Sequence, residues 1–483
     1  VAVDGNSKVN CVLPVDAEML ETAVAVGYGS AKKVGTMVGS VTTVKSDAIK
    51  NAPSSSALDA LQGQVAGLAV MTTGGVAGDN NVSMTLHGVG SLGSSSAPLY
   101  IIDGVQASSG AVMAMNPNDI ASISILKDAS STAIYGARGA NGVIIVTTKG
   151  GSDSDAKPRI TFKADLGFSQ LPRKLDVMNA TEFAQYRNDV YANLSGKVDL
   201  TATPHYPDPT IYGEGTDWQD VITRTGLYQN YNLSVSGGSK KFNYFASFGY
   251  HNNEGIIISS GVEKYSGRFK AQYQLFKWLK FGLNTNYEYR YNDNNKVAVG
   301  GVNYWNGAIF LNPMQKPTDT VNILWGTGFD GGQPYNSPYM DAQLVTNEAV
   351  RKMLTISPNV TIDLAKGLTF RSQFTYYSYQ RHDYQFWPST RPTFEAINAG
   401  AKAYRCEADE VNMTNENTLT YKRTIRRLHN IDFMLGFTVN KYVYHSLALT
   451  GSGYLSDDVR WNNMTAIPDK NNLSPSSALN ERT

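Results

Sequence analysis

The sequence predicts a membrane-type all-β barrel preceded by a small α+β domain, and three observations carry that reading. From about residue 230 onward, apolar and polar residues alternate with a period of two in segment after segment, the pattern of strands with one apolar and one polar face. Some of these segments are joined by a few residues of Gly, Ser, Lys or Ala and others by tens of residues. Tight turns at one rim and long loops at the other are the arrangement of outer-membrane barrels. Before residue 150 the texture differs, with short apolar runs, Gly-rich turns and helical patches in succession.

Composition agrees. A chain of 483 residues exceeds one ordinary core, so two or more units are expected. Lys plus Arg number 42 against 41 for Asp plus Glu, which leaves no basic excess of the kind a nucleic-acid partner requires. Gly (44), Tyr (28) and Phe (17) are abundant while charged residues are only 17%, which suits strands and turns better than helices. Cys11 and Cys406 lie nearly the whole chain apart and the six His are scattered, so neither a disulfide framework nor a metal site is expected. No apolar run is long enough for a membrane helix, and alternating strands escape that test altogether.

In chain order, residues 1–20 alternate at Val9, Cys11 and Leu13 and read as the end of a preceding unit. Glu21-Thr22-Ala23-Val24-Ala25-Val26 follows, extended by its β-branched content and ended by glycines. It is β-prone and uncharged after Glu21, suited either to adding a strand to a partner's sheet edge or to serving as an ordinary first strand. Within 38–151, Leu58, Leu61 and Val65 mark a short helical face over Ala57–Val65. Leu99–Ile102 is a strand closed by Asp103-Gly104, Ile120–Leu126 a second, Ala129–Tyr135 a helix and Val143–Thr148 a last strand. Residues 149–155 are a polar linker.

From 152 to 483, strands are expected around 232–236, 242–250, 265–273, 279–289, 360–364, 368–376 and 431–439. Each runs about 9–12 residues, the length of a tilted bilayer-crossing strand. Tyr250, Tyr273 and Tyr289 fall near strand ends, as in an interfacial girdle. The long connections are expected at 291–350 and 380–408. A soluble β-sandwich would share the alternation, but with shorter strands of about 5–6 residues.

Three further patterns carry little. Gly88-Val89-Gly90-Ser91-Leu92-Gly93 fits a dinucleotide fingerprint, yet loop rather than helix follows at Ser94–Pro98. No two carboxylates are brought together as a glycosidase pair requires, so no catalytic residue, cofactor or metal is assigned. Trp218, Trp305 and Trp387 fall in expected loops, where they suit either sugar stacking or an interface.

Longer ordered runs identify a family. Leu61-Gln62-Gly63-Gln64-Val65-Ala66-Gly67, Pro98–Val105, Asn116–Ala129, Ala133–Ile144 and Thr147-Thr148-Lys149 resemble the plug of TonB-dependent receptors. The Lys127-Asp128-Ala129 and Gly136-Ala137-Arg138-Gly139-Ala140-Asn141-Gly142 runs resemble the SusC/RagA branch of Bacteroidetes. Leu86-His87-Gly88 departs from the Ile-Arg-Gly of many relatives, so His87 is given no role. The resemblance implies a barrel of about 22 strands, part of it present here, around an α+β plug in its lumen. It also implies active import of oligosaccharides or oligopeptides across the outer membrane, with a SusD-like lipoprotein as lid and TonB, with ExbB and ExbD, as energy source.

On that resemblance, residues 1–20 end a carboxypeptidase-regulatory-like domain, and Glu21, Thr22, Ala23, Val24, Ala25 and Val26 form the TonB box within 21–37. The plug spans 38–151 and the first barrel strands 152–483. Two apical plug loops then face the ligand: Ser91, Leu92, Gly93, Ser94, Ser95 and Ser96, and Gln106, Ala107, Ser108 and Ser109, the second running to Ala111. Lys127 and Arg138 would either pair with acidic residues of the barrel wall or remain solvated. A passive porin or adhesin and a secreted β-rich carbohydrate-active enzyme are the rival readings.

Overall fold

The computed structural model describes residues 23–25, 31–33, 41–50, 56–72, 82–88, 90, 95–152, 155–193, 206–294, 308–309, 311–318, 338–390, 400–425 and 429–482. The described residues up to Lys149 form one compact unit, apart from the 73–81 connection, and those from Gly150 onward form a second.

The first unit is α+β. Strands β1 (Ala23–Ala25) and β2 (Ala31–Lys33) form a two-stranded pair, as do β4 (Leu68–Thr72) and β5 (Val82–Leu86). The remaining strands are β3 (Val41–Lys45), β6 (Leu99–Ile102), β7 (Val105–Ala107), β8 (Ile120–Leu126) and β9 (Val143–Thr148). They make one sheet in the order β3-β8-β9-β6-β7, in which only β6 and β9 run parallel. Ile120, Ile123, Ile125, Ile144 and Val146 lie fully buried in its core, as expected of β-branched runs in a covered sheet.

Leu58, Leu61 and Val65 are buried together as their spacing predicts, but the segment is not an α-helix. A single 3-10 turn spans Asp59–Leu61, and Gly63 and Gly67 then take positive φ. The helix expected over Ala129–Tyr135 is likewise a short turn, Ala129–Thr132, passing into a 3-10 stretch that breaks at Gly136 (φ 59, ψ −148). That conformation is essentially confined to glycine.

The second unit is a ten-stranded antiparallel meander. Its strands are β10 (Ala156–Ser169), β11 (Gly226–Gly238), β12 (Phe242–Glu254), β13 (Ser260–Phe276), β14 (Leu279–Asn294), β15 (Thr346–Ala365), β16 (Leu368–Trp387), β17 (Ala401–Ile425), β18 (His429–Tyr454) and β19 (Leu473–Arg482). At one rim the connections are 239–241, 277–278, 366–367 and 426–428; at the other they are 170–225, 255–259, 295–345, 388–400 and 455–472. The strands are longer than the periodicity indicated, reaching 20 residues in β15 and β16, 25 in β17 and 26 in β18. Most of the connection expected at 380–408 is therefore the end of β16 and the start of β17.

Register assigns every side chain to a face. Tyr231, Tyr250, Tyr265 and Tyr289 stand directly opposite one another across β11–β14, with successive ring centroids 6.2, 5.1 and 6.2 Å apart. A second row, Phe242, Tyr273 and Phe281, crosses β12–β14 on the same face. The expected girdle is thus two rows, with Tyr250 and Tyr289 in one and Tyr273 in the other. On each strand the rows are about eight residues apart, or about 27 Å at 3.4 Å per residue. A strand tilt of about 40° reduces this to roughly 21 Å of height, close to the ~25 Å apolar band of outer-membrane barrels. This face is solvent-accessible and apolar: Phe162, Leu166 and Phe168 on β10, Phe248 on β12, and Ile431, Phe433, Leu435, Phe437 and Val439 on β18 are all exposed. The opposite face is polar. There Lys264 pairs with Glu288 at 3.4 Å, and Arg268 Nη2 donates to Asn284 Oδ1 at 3.0 Å.

A membrane face and a solvated face respond oppositely to charge. Leu435→Arg, central in the β18 apolar run, is expected to cost about 2–4 kcal/mol in a bilayer. In water the same exposed position would shift stability by only about ±0.5 kcal/mol. Folding yield into lipid vesicles, read by heat-modifiable gel mobility, distinguishes the two.

Candidate functional site

The expected ligand loops converge because of how the first sheet is wired. β6 and β9 are parallel with Leu99 opposite Val143, so both begin at the same end of the sheet. β7 runs antiparallel to β6, placing Ala107 beside Tyr100 at that same end. Three segments therefore meet there: residues 95–98 entering β6, 106–109 leaving β7, and the Gly136–Gly142 run entering β9. The Asp103-Gly104 turn that reverses β6 into β7 sits at the opposite end. Both of its residues take positive φ (48 and 93), as a two-residue hairpin demands. There Asp103 accepts hydrogen bonds from the backbone N–H of Thr148, at 3.0 Å, and from its hydroxyl.

The Gly136–Gly142 run ties the two loops together. Arg138 Nη1 donates to Gln106 Oε1 at 2.8 Å, and Asn141 Nδ2 donates to the carbonyl of Ser95 at 2.9 Å. Gly142, at φ 86, would be strained by any side chain: a Cβ there would lie 2.6 Å from Leu86 Cδ1 and 3.2 Å from the Leu126 carbonyl. Arg138 and Lys127, whose Nζ donates to the Ala66 carbonyl at 2.8 Å, both have partners within the first unit.

The loop residues differ in what they leave free. Ser108 caps the helix Ser109–Ala114 by accepting from Ala111 N, so its oxygen is committed to the backbone. Ser95 accepts from Ala97 N at 3.2 Å and keeps its hydroxyl proton for another acceptor. Ser96 Oγ is buried without a partner among the described residues. Gln106 is exposed and Ala107 and Ser109 are half-buried. Beneath them, burial pushes the Tyr100 phenol up to about 12, so it stays neutral at physiological pH. Ser91, Leu92, Gly93 and Ser94 lie outside the described residues. His87 takes positive φ and its N–H donates to the Gly67 carbonyl, a turn role. No helix follows Gly88 and Gly90 among the described residues, where 95–98 is irregular and β6 begins, which removes the helix N-terminus a dinucleotide needs.

Of the N-terminal segment, Ala23–Ala25 is described, as β1 antiparallel to β2 with Val24 opposite Lys32; Glu21, Thr22 and Val26 lie outside the described residues. Trp218 is buried with Ile222 and Leu311, and its indole donates to the Asn312 carbonyl at 3.1 Å, so it is a packing residue. Trp387 carries Lys402 Nζ 5.4 Å above its ring. Trp305 is outside the described residues. Sequence reasoning assigned Gln106 to a ligand-facing loop but not to the bond with Arg138, and it gave Asn141 no role beyond its place in the Gly-rich run.

Asn141→Ala removes the bond to Ser95 and is expected to cost about 0.5–1.5 kcal/mol. Faster hydrogen exchange should appear at 95–98 first, with β8 and β9 unchanged.

Residues 33–143 match the family model described as the TonB-dependent receptor plug domain. A TonB-dependent receptor of Formosa agariphila is 31% identical over 479 residues, covering 98% of this chain and 47% of that relative. The TonB-dependent receptor SusC of Bacteroides thetaiotaomicron is 33% identical over 306 residues, covering 61% of this chain and 29% of that relative. Among solved structures, the RagAB peptide importer in its 'open-open' state is similar with a TM-score of 0.81 at 28% identity, over 95% of this chain and 53% of that one. The ferric citrate transporter FecA shares the fold, with a TM-score of 0.55 at 10% identity, over 89% of this chain and 51% of that one. The chain spans about half the length of the relatives it matches most fully.

Proposed function

Because this chain belongs to the SusC/RagA type of TonB-dependent receptor, an outer-membrane β-barrel family, we propose that it works in energised import of oligosaccharides or oligopeptides. The observation that carries this is the pairing of a plug-type domain with a wide antiparallel sheet having one apolar and one polar face. A passive pore needs no such domain. In this reading residues 21–37 hold the TonB box and linker, 38–151 the plug, and 152–483 barrel strands. The barrel closes with strands beyond these ten, since an unpaired sheet edge is not tolerated in lipid. Residues 1–20, which lie outside the described residues, are assigned in this reading to a carboxypeptidase-regulatory-like domain. A SusD-like lipoprotein closes over the external rim, as the likeness to RagAB supports.

Ligand meets the plug where Ser95–Ser96 and Gln106–Ser109 converge, with Ser91–Ser94, outside the described residues, assigned to the same site, because that end offers hydroxyl and amide groups. Release requires work from the inner membrane, where each charge moved through 100 mV supplies about 2.3 kcal/mol. TonB delivers it by gripping Glu21–Val26. β1 is paired on one edge by β2, and its other edge pairs with no described strand, so a partner strand can add there through main-chain bonds alone.

Val24→Pro removes a backbone donor at the middle of β1. Uptake of the cognate substrate should collapse while receptor abundance and surface binding of ligand stay unchanged. Growth on that substrate at the wild-type rate would refute the assignment of this segment.

A further inference from the structure

The polar face of the second sheet carries a cluster that the plug loops do not account for. Across β16, β17 and β18, Tyr379, Glu410 and Tyr444 stand directly opposite one another, and in the next same-face row so do Tyr377, Asn412 and Tyr442. Two aromatic pairs thus flank a carboxylate and an amide. The patch measures about 7 Å along the strands and about 10 Å across them. All six side chains are partly accessible.

Their bonding is asymmetric. Asn440 Nδ2 donates to Asn412 Oδ1 at 2.6 Å and to Thr414 Oγ1 at 2.8 Å, which turns the Asn412 NH2 group outward as a donor. Glu410 accepts no hydrogen bond and makes no ion pair among the described residues, and the phenols of Tyr379, Tyr442 and Tyr444 likewise have no hydrogen-bond partner there. In the row beyond Tyr379, Glu410 and Tyr444 stand Arg381, Ala408 and Ser446, and Arg381 is engaged by Asp383 at 2.6 Å.

We propose that this wall binds an oligosaccharide, with the tyrosines as platforms for pyranose faces and Glu410 and Asn412 as acceptor and donor for adjacent hydroxyls. A sugar hydroxyl donates and accepts at once, so an acceptor and a donor side by side satisfy a pair of them. Tyrosine offers a flat apolar surface with a polar rim and little rotamer freedom to lose. A peptide would instead call for a hydrogen-bonding strand edge or charged pockets for its ends, and this patch lies on the face of paired strands. The proposal rests on the reading that the polar face lines the import path.

The test uses the full-length receptor in detergent, probed with an array of neutral and acidic oligosaccharides and, in parallel, with a pool of tryptic oligopeptides. Oligosaccharide binding is expected, with affinity falling about ten-fold or more in Glu410→Gln, as for loss of a charge-assisted hydrogen bond, and further in Tyr444→Ala. Tyr444→Phe, which keeps the ring, should retain most of the affinity. Heat-modifiable mobility confirms that each variant is folded. Binding of peptides but no oligosaccharide, or oligosaccharide affinity unchanged in folded Glu410→Gln and Tyr444→Ala, overturns the proposal. A receptor that still imports peptides through its TonB box would leave the transport reading standing while this one falls.

Discussion

Backbone pairing is the constraint on which the rest of this molecule depends. In hydrocarbon an unpaired amide or carbonyl costs several kcal/mol, so β10–β19 must stay paired strand to strand, and their register shifts lie near strand ends, as at Ala156/Arg159, Gln274/Phe276 and Asp363/Ala365. Once register is fixed, alternation does the rest, because a slip of one residue would turn every side chain to the opposite face. The four-membered tyrosine row and the aromatic row about eight residues away are consequences of that register. So is the separation of Lys264, Arg268 and Glu288 from the exposed Phe and Leu residues. One geometric requirement thus yields an apolar face and a polar face from the same strands.

In the smaller unit a different piece of wiring has the same effect. A single parallel pair, β6 with β9, brings the starts of two strands and the end of β7 to one edge. Gly-rich backbone then allows Arg138 and Asn141 to reach across to Gln106 and Ser95. A Cβ at Gly142 would press on Leu86 Cδ1 and the Leu126 carbonyl, which gives the glycine that ends the run a steric reason within this chain alone. The hairpin β4–β5 shares in it, since Leu86 is the residue packed against Gly142.

Much of this was legible in the sequence. Strands β12–β14 and β18 announced themselves because large apolar residues alternate with polar or small ones, and Asp103-Gly104 identified its turn by the positive φ it requires. Strand length was not legible: β16 and β17 extend beyond the apolar band, where both faces meet polar surroundings and alternation fades. Ala401, Ala403, Cys406 and Ala408 are too small and too uniform to declare a face. β19, with Ser474-Pro475-Ser476-Ser477, is short of large apolar residues and carries no periodic signal. The tyrosine–glutamate–tyrosine wall was invisible for another reason. Tyr379, Glu410 and Tyr444 are distant in sequence, and only cross-strand register makes them neighbours.

The most direct measurement of the central claim, that β10–β19 cross a bilayer with one face in lipid, is site-directed spin labelling along β18 from Ile431 to Val443 in reconstituted vesicles. Collision with oxygen, which concentrates in lipid, should alternate with a period of two and peak near Leu435, while a water-soluble relaxant should show the opposite phase. Accessibility to the water-soluble relaxant at Phe433, Leu435 and Phe437, with no alternation along the strand, would contradict the account.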